Sequence, residues 1–358
     1  MTELPDNPLA VLPIWANMVL FVLAAMIVWV AGTRLAVYAD AIADRKRIGK
    51  ALMGLVFLAA ATELPELVTT ISAAMKNNAA LVLNNMFGGI TMQTAILAIA
   101  DGVVIHTTLT SYPRKTTLAL EGMLLILLLG FLLAIISLND FFGDLTLFGR
   151  IGIGTLILGF AYGAVIHFLR FYDANARWRP IDLPDEGEIV FGTIKRQDLD
   201  KVPLAKIYGW TAVAVLAILL AGLGLVQLAE TIALQSGLGS SFIGVTLLAA
   251  STSLPELSTT IAAVRIGAFT MAISNIFGSN LIMLALLFPA HAFYAGGRIP
   301  EHADRTAKFA LVSGIMVTSV YVIGLLVRSK RRFLGLGYDS LIVLTLYLVS
   351  LVGFFYLR

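Results

Sequence analysis

The 358-residue chain has no cysteine, so disulfides, thiolate metal sites and thiol catalysis are excluded. It is also poor in charge: 13% of its residues are Asp, Glu, Lys or Arg, against about 25% in a soluble domain. Its net charge of +3 is small, and no basic-aromatic motif suggests nucleic acid. No basic residue precedes the first apolar run, where Glu3 and Asp6 stand instead. That is the wrong start for a cleaved signal peptide, so the run is expected to stay as a helix. The histidines are few and ordinarily placed: His106 and His302 in expected loops, His167 and His291 at expected helix ends.

What the chain has in excess is apolar residues, 59% of the total. They come in runs long enough to cross a bilayer, which takes about 20 residues. Ten spans are expected, near 14–38, 51–75, 79–100, 117–137, 146–169, 207–230, 242–264, 268–291, 308–327 and 338–357. All should be helices, because an open sheet cannot satisfy its backbone in lipid. The fold class is therefore an all-α membrane protein of ten transmembrane helices.

Loop charges orient the spans. With the N-terminus outside, 18 Lys and Arg fall in inner loops and six outside (Lys76, Arg150, Arg298, Arg305, Lys308 and Arg358). Arg34, near the end of the first span, belongs to neither set. Both termini are expected outside a cell membrane. The compact length and short linker suit a prokaryotic inner membrane, and a single chain is sufficient. The long polar stretch 173–206 contains Arg177-Trp178-Arg179-Pro180 and Asp185-Glu186-Gly187-Glu188. It separates two five-helix halves, 1–172 and 207–358, and reads as a solvated cytoplasmic linker or a regulatory segment.

Residues 54–96 align with 244–286 at a constant offset of 190, with 17 of 43 pairs identical. Thr62-Glu63-Leu64-Pro65-Glu66-Leu67 returns as Thr252-Ser253-Leu254-Pro255-Glu256-Leu257. Chance similarity of apolar helices would match Leu and Ala, not this string. Five helices is an odd number, so the halves enter the membrane from opposite sides. That is the inverted-repeat plan of secondary transporters, whose site lies at interrupted helices near the midplane.

Glu63, Glu66 and Glu256 fall near the middle of their spans, where each charge costs roughly 2.5–3.5 kcal/mol. No Lys or Arg lies at similar depth, so a bound cation or protons must compensate. Pro65 and Pro255 lack an N–H and clash with the carbonyls of Ala61 and Ser251, so a kink with loose backbone oxygens is expected at each. Thr62, Thr252 and Ser253 add hydroxyls. Such hard oxygen ligands suit Ca²⁺, and also Na⁺ or protons. The lack of nearby His or Cys disfavours Zn²⁺ and Cu⁺. In the next span of each half, Asn85 and Asn275 match across the repeats, as ligands or as inter-helix hydrogen bonds. Gly88, Gly89 and Gly278 read as close-packing positions.

These motifs resemble the calcium/cation antiporter superfamily, and within it the sodium/calcium exchangers. The resemblance rests on Thr62 to Leu67, Thr252 to Leu257, and Gly278-Ser279-Asn280. It implies alternating access around four central ion sites, with the first helix of each half sliding across a core bundle. Glu66 and Glu256 match the family's central calcium-binding glutamates. Thr62, Thr252, Ser253 and Ser279 match its hydroxyl ligands, and Ala59 and Ala249 match positions whose carbonyls coordinate ions. The chain departs from the family where Glu63 and Gly89 replace serine, and where Gln93 and Met283 replace Asn or Asp. Glu63 then restores the missing third acid.

The expectation is calcium antiport against sodium or protons, with no resident cofactor and no enzymatic role. Other readings are an antiporter of another cation with altered ion sites, or a non-transporting membrane scaffold. An intramembrane aspartyl protease would need two aspartates, and the central acids are glutamates.

Overall fold

A computed structural model describes residues 8–104, 107–138, 146–147, 151–175, 180–181, 199–236 and 250–357. The described residues form α1 (Ile14–Lys46), α2 (Lys50–Thr62), α3 (Leu64–Met75), α4 (Ala79–Asp101), α5 (Thr117–Ser137) and α6 (Ile153–Asn175). Then come α7 (Leu204–Gln235), α8 (Leu254–Arg265), α9 (Phe269–Phe293), α10 (Arg305–Val327) and α11 (Tyr338–Tyr356). Two antiparallel hairpins pair β1 (Thr146–Leu147) with β2 (Ile151–Gly152) and β3 (Arg332–Phe333) with β4 (Leu336–Gly337).

Eight of these helices are long and apolar enough to cross a membrane. The pair α2 and α3, bent by 51°, makes a ninth span if counted as one. The chain is thus a mostly helical, multi-pass membrane protein. The expected seventh span is described only through α8, because residues 242–249 lie outside the described residues.

Several helix ends differ from the expected spans. Helix α1 runs on to Lys46, beyond the expected span end at 38, and buried Asp40 in this last stretch pairs with Lys50. The fifth span starts at Ile153, after the β1–β2 hairpin, and not at 146. Helices α6 and α7 extend to Asn175 and from Leu204, which shortens the polar connection expected at 173–206. Its acidic run 185–188 lies outside the described residues.

Helix α9 is the hub, with 83% of its most apolar stretch buried, whereas α1 and α11 bury 17% of theirs. Its contact with α2 is backbone against backbone. A Cβ on Gly54 would meet the carbonyl of Met271, and one on Gly278 would meet the backbone of Leu55. Small residues permit that approach in membrane interfaces.

Helices α1 and α7 lie antiparallel. Asn17, near the start of α1, donates to Gln235 at the end of α7 (3.0 Å), and Arg45, near the end of α1, donates to the carbonyl of Val202. Gly32 of α1 sits against Ser258 and Thr259 of α8, and Gly222 of α7 sits against Pro65 of α3. These two glycines are again 190 residues apart. Ala39-Asp40-Ala41-Ile42-Ala43 likewise returns as Ala229-Glu230-Thr231-Ile232-Ala233. The duplication therefore reaches into the first helix of each half.

Candidate ion-binding site

Glu63 stands between α2 and α3 with φ −78° and ψ 0°, and Ser253 precedes α8 with φ −88° and ψ 1°. The two matched positions share the bridge region, where many active-site residues sit. Pro65 and Pro255 fall in the first turns of α3 and α8. A proline is tolerated there, since its missing N–H has no helical partner to lose. The expected kink is therefore a break, with a new helix starting at the motif. Glu63 is thereby the residue that precedes α3, while Glu66 sits in its first turn.

Glu66 and Glu256 occupy those first turns, at the positive end of each helix dipole. Both are 0–1% exposed, as is Glu63. Among the described residues, neither carboxyl oxygen of Glu66 or Glu256 has a hydrogen-bond partner, nor does Oε2 of Glu63. Oε1 of Glu63 accepts from the Gln93 amide at 2.6 Å. The charge of Glu256 acts on both Glu63 and Glu66, and the Thr62 hydroxyl lies beside the Glu256 carboxyl. Among the described residues, no three His, Asp or Glu side chains are arranged to enclose one metal ion. Neutral oxygens would have to complete any cation shell. Several are buried without a partner among the described residues: Ser279 Oγ, Asn275 Oδ1, Asn280 Oδ1, Gln93 Oε1 and Thr70 Oγ1.

The other expected positions differ in state. The carbonyl of Ala59 accepts from the Glu63 N–H (3.0 Å) and the Thr62 hydroxyl (3.2 Å), so an ion there would displace a donor. Ala249 lies outside the described residues. Thr252 and Ser253 are buried. Asn275 donates to Thr259 (3.1 Å) and Thr260 (3.3 Å), which ties α9 to α8 and leaves its carbonyl oxygen free. Its counterpart Asn85 instead lines a cavity of about 310 Å³ between α3, α4 and α7. That cavity runs from Lys76 and Glu230, on the side where α7 ends, to Thr70 and Thr252.

Glu121 and Glu230 were not singled out in the sequence; the first is buried and the second is exposed at the cavity. Glu121 of α5 is fully buried, and Ser274 Oγ lies 3.0 and 2.8 Å from its two carboxyl oxygens. An acid inside an otherwise leucine-rich span was the available signal. Glu230 lines the cavity and attracts the nearby Lys76. Its signal was the match with Asp40 at the repeat offset.

The chain matches the profile of the family described as "Sodium/calcium exchanger protein" over residues 16–168 and 206–356. It is 24% identical over 299 residues to CaxA of Alkalimonas amylolytica, designated a candidate antiporter, covering 83% of this chain and 87% of that protein. It is 30% identical over 111 residues to the inner membrane protein YrbG of Escherichia coli (strain K12), covering 30% of this chain and 34% of YrbG. The fold matches a solved structure of the sodium-calcium exchanger NCX_Mj with a TM-score of 0.69 at 15% identity, over 95% of this chain and 99% of that one.

Proposed function

Because the chain belongs to the sodium/calcium exchanger family, one of transporters and not of enzymes, we propose that it exchanges calcium for sodium or protons by alternating access. The observation that carries this reading is the matched pair Glu66 and Glu256. Each is buried, lacks a hydrogen-bond partner among the described residues and stands in the first turn of a helix that starts at the repeated motif. Two such carboxylates need a cation or protons for company. Glu66 and Glu256 hold the calcium ion in this reading, and Glu63 supplies the third acid. Thr62, Thr252, Ser253 and Ser279 contribute hydroxyls, Ala59 and Ala249 contribute carbonyls, and Asn85, Asn275 and Gln93 contribute amide oxygens.

Ten spans in two inverted halves complete the architecture, with α8 in the seventh. The antiparallel α1 and α7, and their matched glycines, support this arrangement. Charge bias supports both termini outside. An asymmetry between the halves supports alternating access. Asn275 is closed onto Thr259 and Thr260, while Asn85 faces an open cavity with the matching Thr69 and Thr70. In the opposite state the two asparagines exchange roles.

One observation favours a modified ion set. A Cβ on Gly89 would lie 2.6 Å from the Met283 methyl carbon and 3.0 Å from its sulfur. The thioether takes the space a serine would need at position 89, and sulfur is a poor ligand for hard cations. Fewer coupling ions than in the family pattern follow from this, or a different cation. Equilibrium calcium binding to the purified protein tests the assignment. Binding that is lost in Glu256→Gln supports it, and binding unchanged in that variant overturns it.

A further inference from the structure

Arg34 is a charged side chain on the outer surface of a membrane helix. It is exposed, and it makes no hydrogen bond or ion pair with any described residue. Nearby Lys50, by contrast, is paired with Asp40 and Asp44. Arg34 lines a groove of about 640 Å³ between α1 and α7. The groove's walls are apolar, with Ile27 and Val30 on one side and Val213 on the other. Tyr38 and Trp210 lie toward the Lys46 end, their ring centroids 5.8 Å apart.

The depth of Arg34 follows from helix geometry. At about 1.5 Å per residue, the 33 residues of α1 span about 50 Å. A hydrocarbon core is about 30 Å thick, so a centred α1 extends about 10 Å beyond it at each end. Arg34 precedes Lys46 by 12 residues (46 − 34), or about 18 Å. Its Cα therefore lies about 8 Å inside the boundary. A guanidinium at that depth snorkels toward the headgroups. Tyr and Trp are enriched at the same level.

The groove thus presents a cation at phosphate height, an aromatic collar beside it, and an apolar channel running toward the bilayer centre. We propose that it binds an anionic phospholipid, with the phosphate on Arg34 and one acyl chain between α1 and α7. Charge complementarity selects the headgroup, because a zwitterionic lipid carries no net charge to offset the guanidinium. The bound lipid then braces the two helices that pair across the halves.

The test needs no transport assay. Trp15, Trp29 and Trp178 are replaced by Phe, leaving Trp210 as the sole tryptophan, selectively excited, in phosphatidylcholine vesicles. Phosphatidylglycerol with brominated chains is expected to quench Trp210 at about fivefold lower dose than brominated phosphatidylcholine, the preference that about 1 kcal/mol of charge attraction supplies. Arg34→Gln should abolish the preference and Arg34→Lys should keep it. Equal quenching by the two lipids, or a preference that survives Arg34→Gln, would overturn the proposal. If the triple replacement does not fold, native mass spectrometry of the unmodified chain and of Arg34→Gln gives the same comparison. Retained phosphatidylglycerol should fall in the variant, and equal retention would count against the site.

Discussion

The Gln93 amide donates a 2.6 Å hydrogen bond to the Glu63 carboxyl, joining two residues that both depart from the family pattern. Gly89 and Met283 form a second such pair, in which one side chain fills the space the other lacks. The four departures are therefore two contacts. Glu63 adds a negative charge and Gln93 holds it in place. Restoring the family residue with Glu63→Ser is expected to change calcium-over-sodium selectivity by at least about tenfold, or about 1.4 kcal/mol. The double variant Glu63→Ser with Gln93→Asn should deviate from additivity by about 0.5–3 kcal/mol, since the residues touch. Competition of sodium against calcium flux measures both quantities. Unchanged selectivity would show that Glu63 is not a ligand.

Glu66→Gln and Glu256→Gln keep side-chain shape and remove the charge. Each is expected to lower calcium uptake by at least about 100-fold, or about 2.8 kcal/mol. Thermal melting should change little or move upward, because a buried unpaired charge is removed. Full uptake by either variant would remove that residue from the site. A scaffold with no transport role would be indifferent to both.

The Ser274 hydroxyl is placed to serve as a clasp for Glu121 of α5. Ser274→Ala leaves a buried carboxyl without its donor, at a cost of about 1–3 kcal/mol. Glu121→Gln keeps an acceptor for the hydroxyl and should melt near the parent temperature. Equal melting temperatures for the parent and Ser274→Ala would show that the contact contributes nothing to stability.

A chain without cysteine makes single-cysteine accessibility clean. Asn85→Cys lines the open cavity, and Asn275→Cys is closed off in this state. An impermeant thiol reagent should label Asn85→Cys from the side where α7 ends, and Asn275→Cys only from the opposite side. Ser236→Cys, just past the end of α7, marks the first side as outer. Labelling of both asparagine positions from one side would contradict alternating access through these residues.

Much of this was legible in the sequence. The Thr-x-Leu-Pro-Glu-Leu strings located the broken helices, and the offset of 190 related the two halves. The break itself was read as a kink, because a proline's place in a helix depends on where that helix starts, and the tertiary fold sets that start at Leu64. The contact of Glu63 with Gln93 bridges 30 residues and two helices, so no local pattern announces it. Gly32 and Gly222 obey the same offset, yet they lie where identity is too sparse to align by eye. The pairing of buried Asp40 with Lys50 joins the last stretch of α1 to the start of α2, and no apolar run announces it.

Calcium flux into proteoliposomes, driven first by a sodium gradient and then by a pH gradient, tests the central claim most directly. Calcium uptake is expected under at least one gradient and should be lost in Glu66→Gln. Uptake under the pH gradient alone would assign coupling to protons, with Glu63 as the leading candidate for the carrier. No calcium movement under either gradient, from protein that is folded and reconstituted, would contradict calcium antiport.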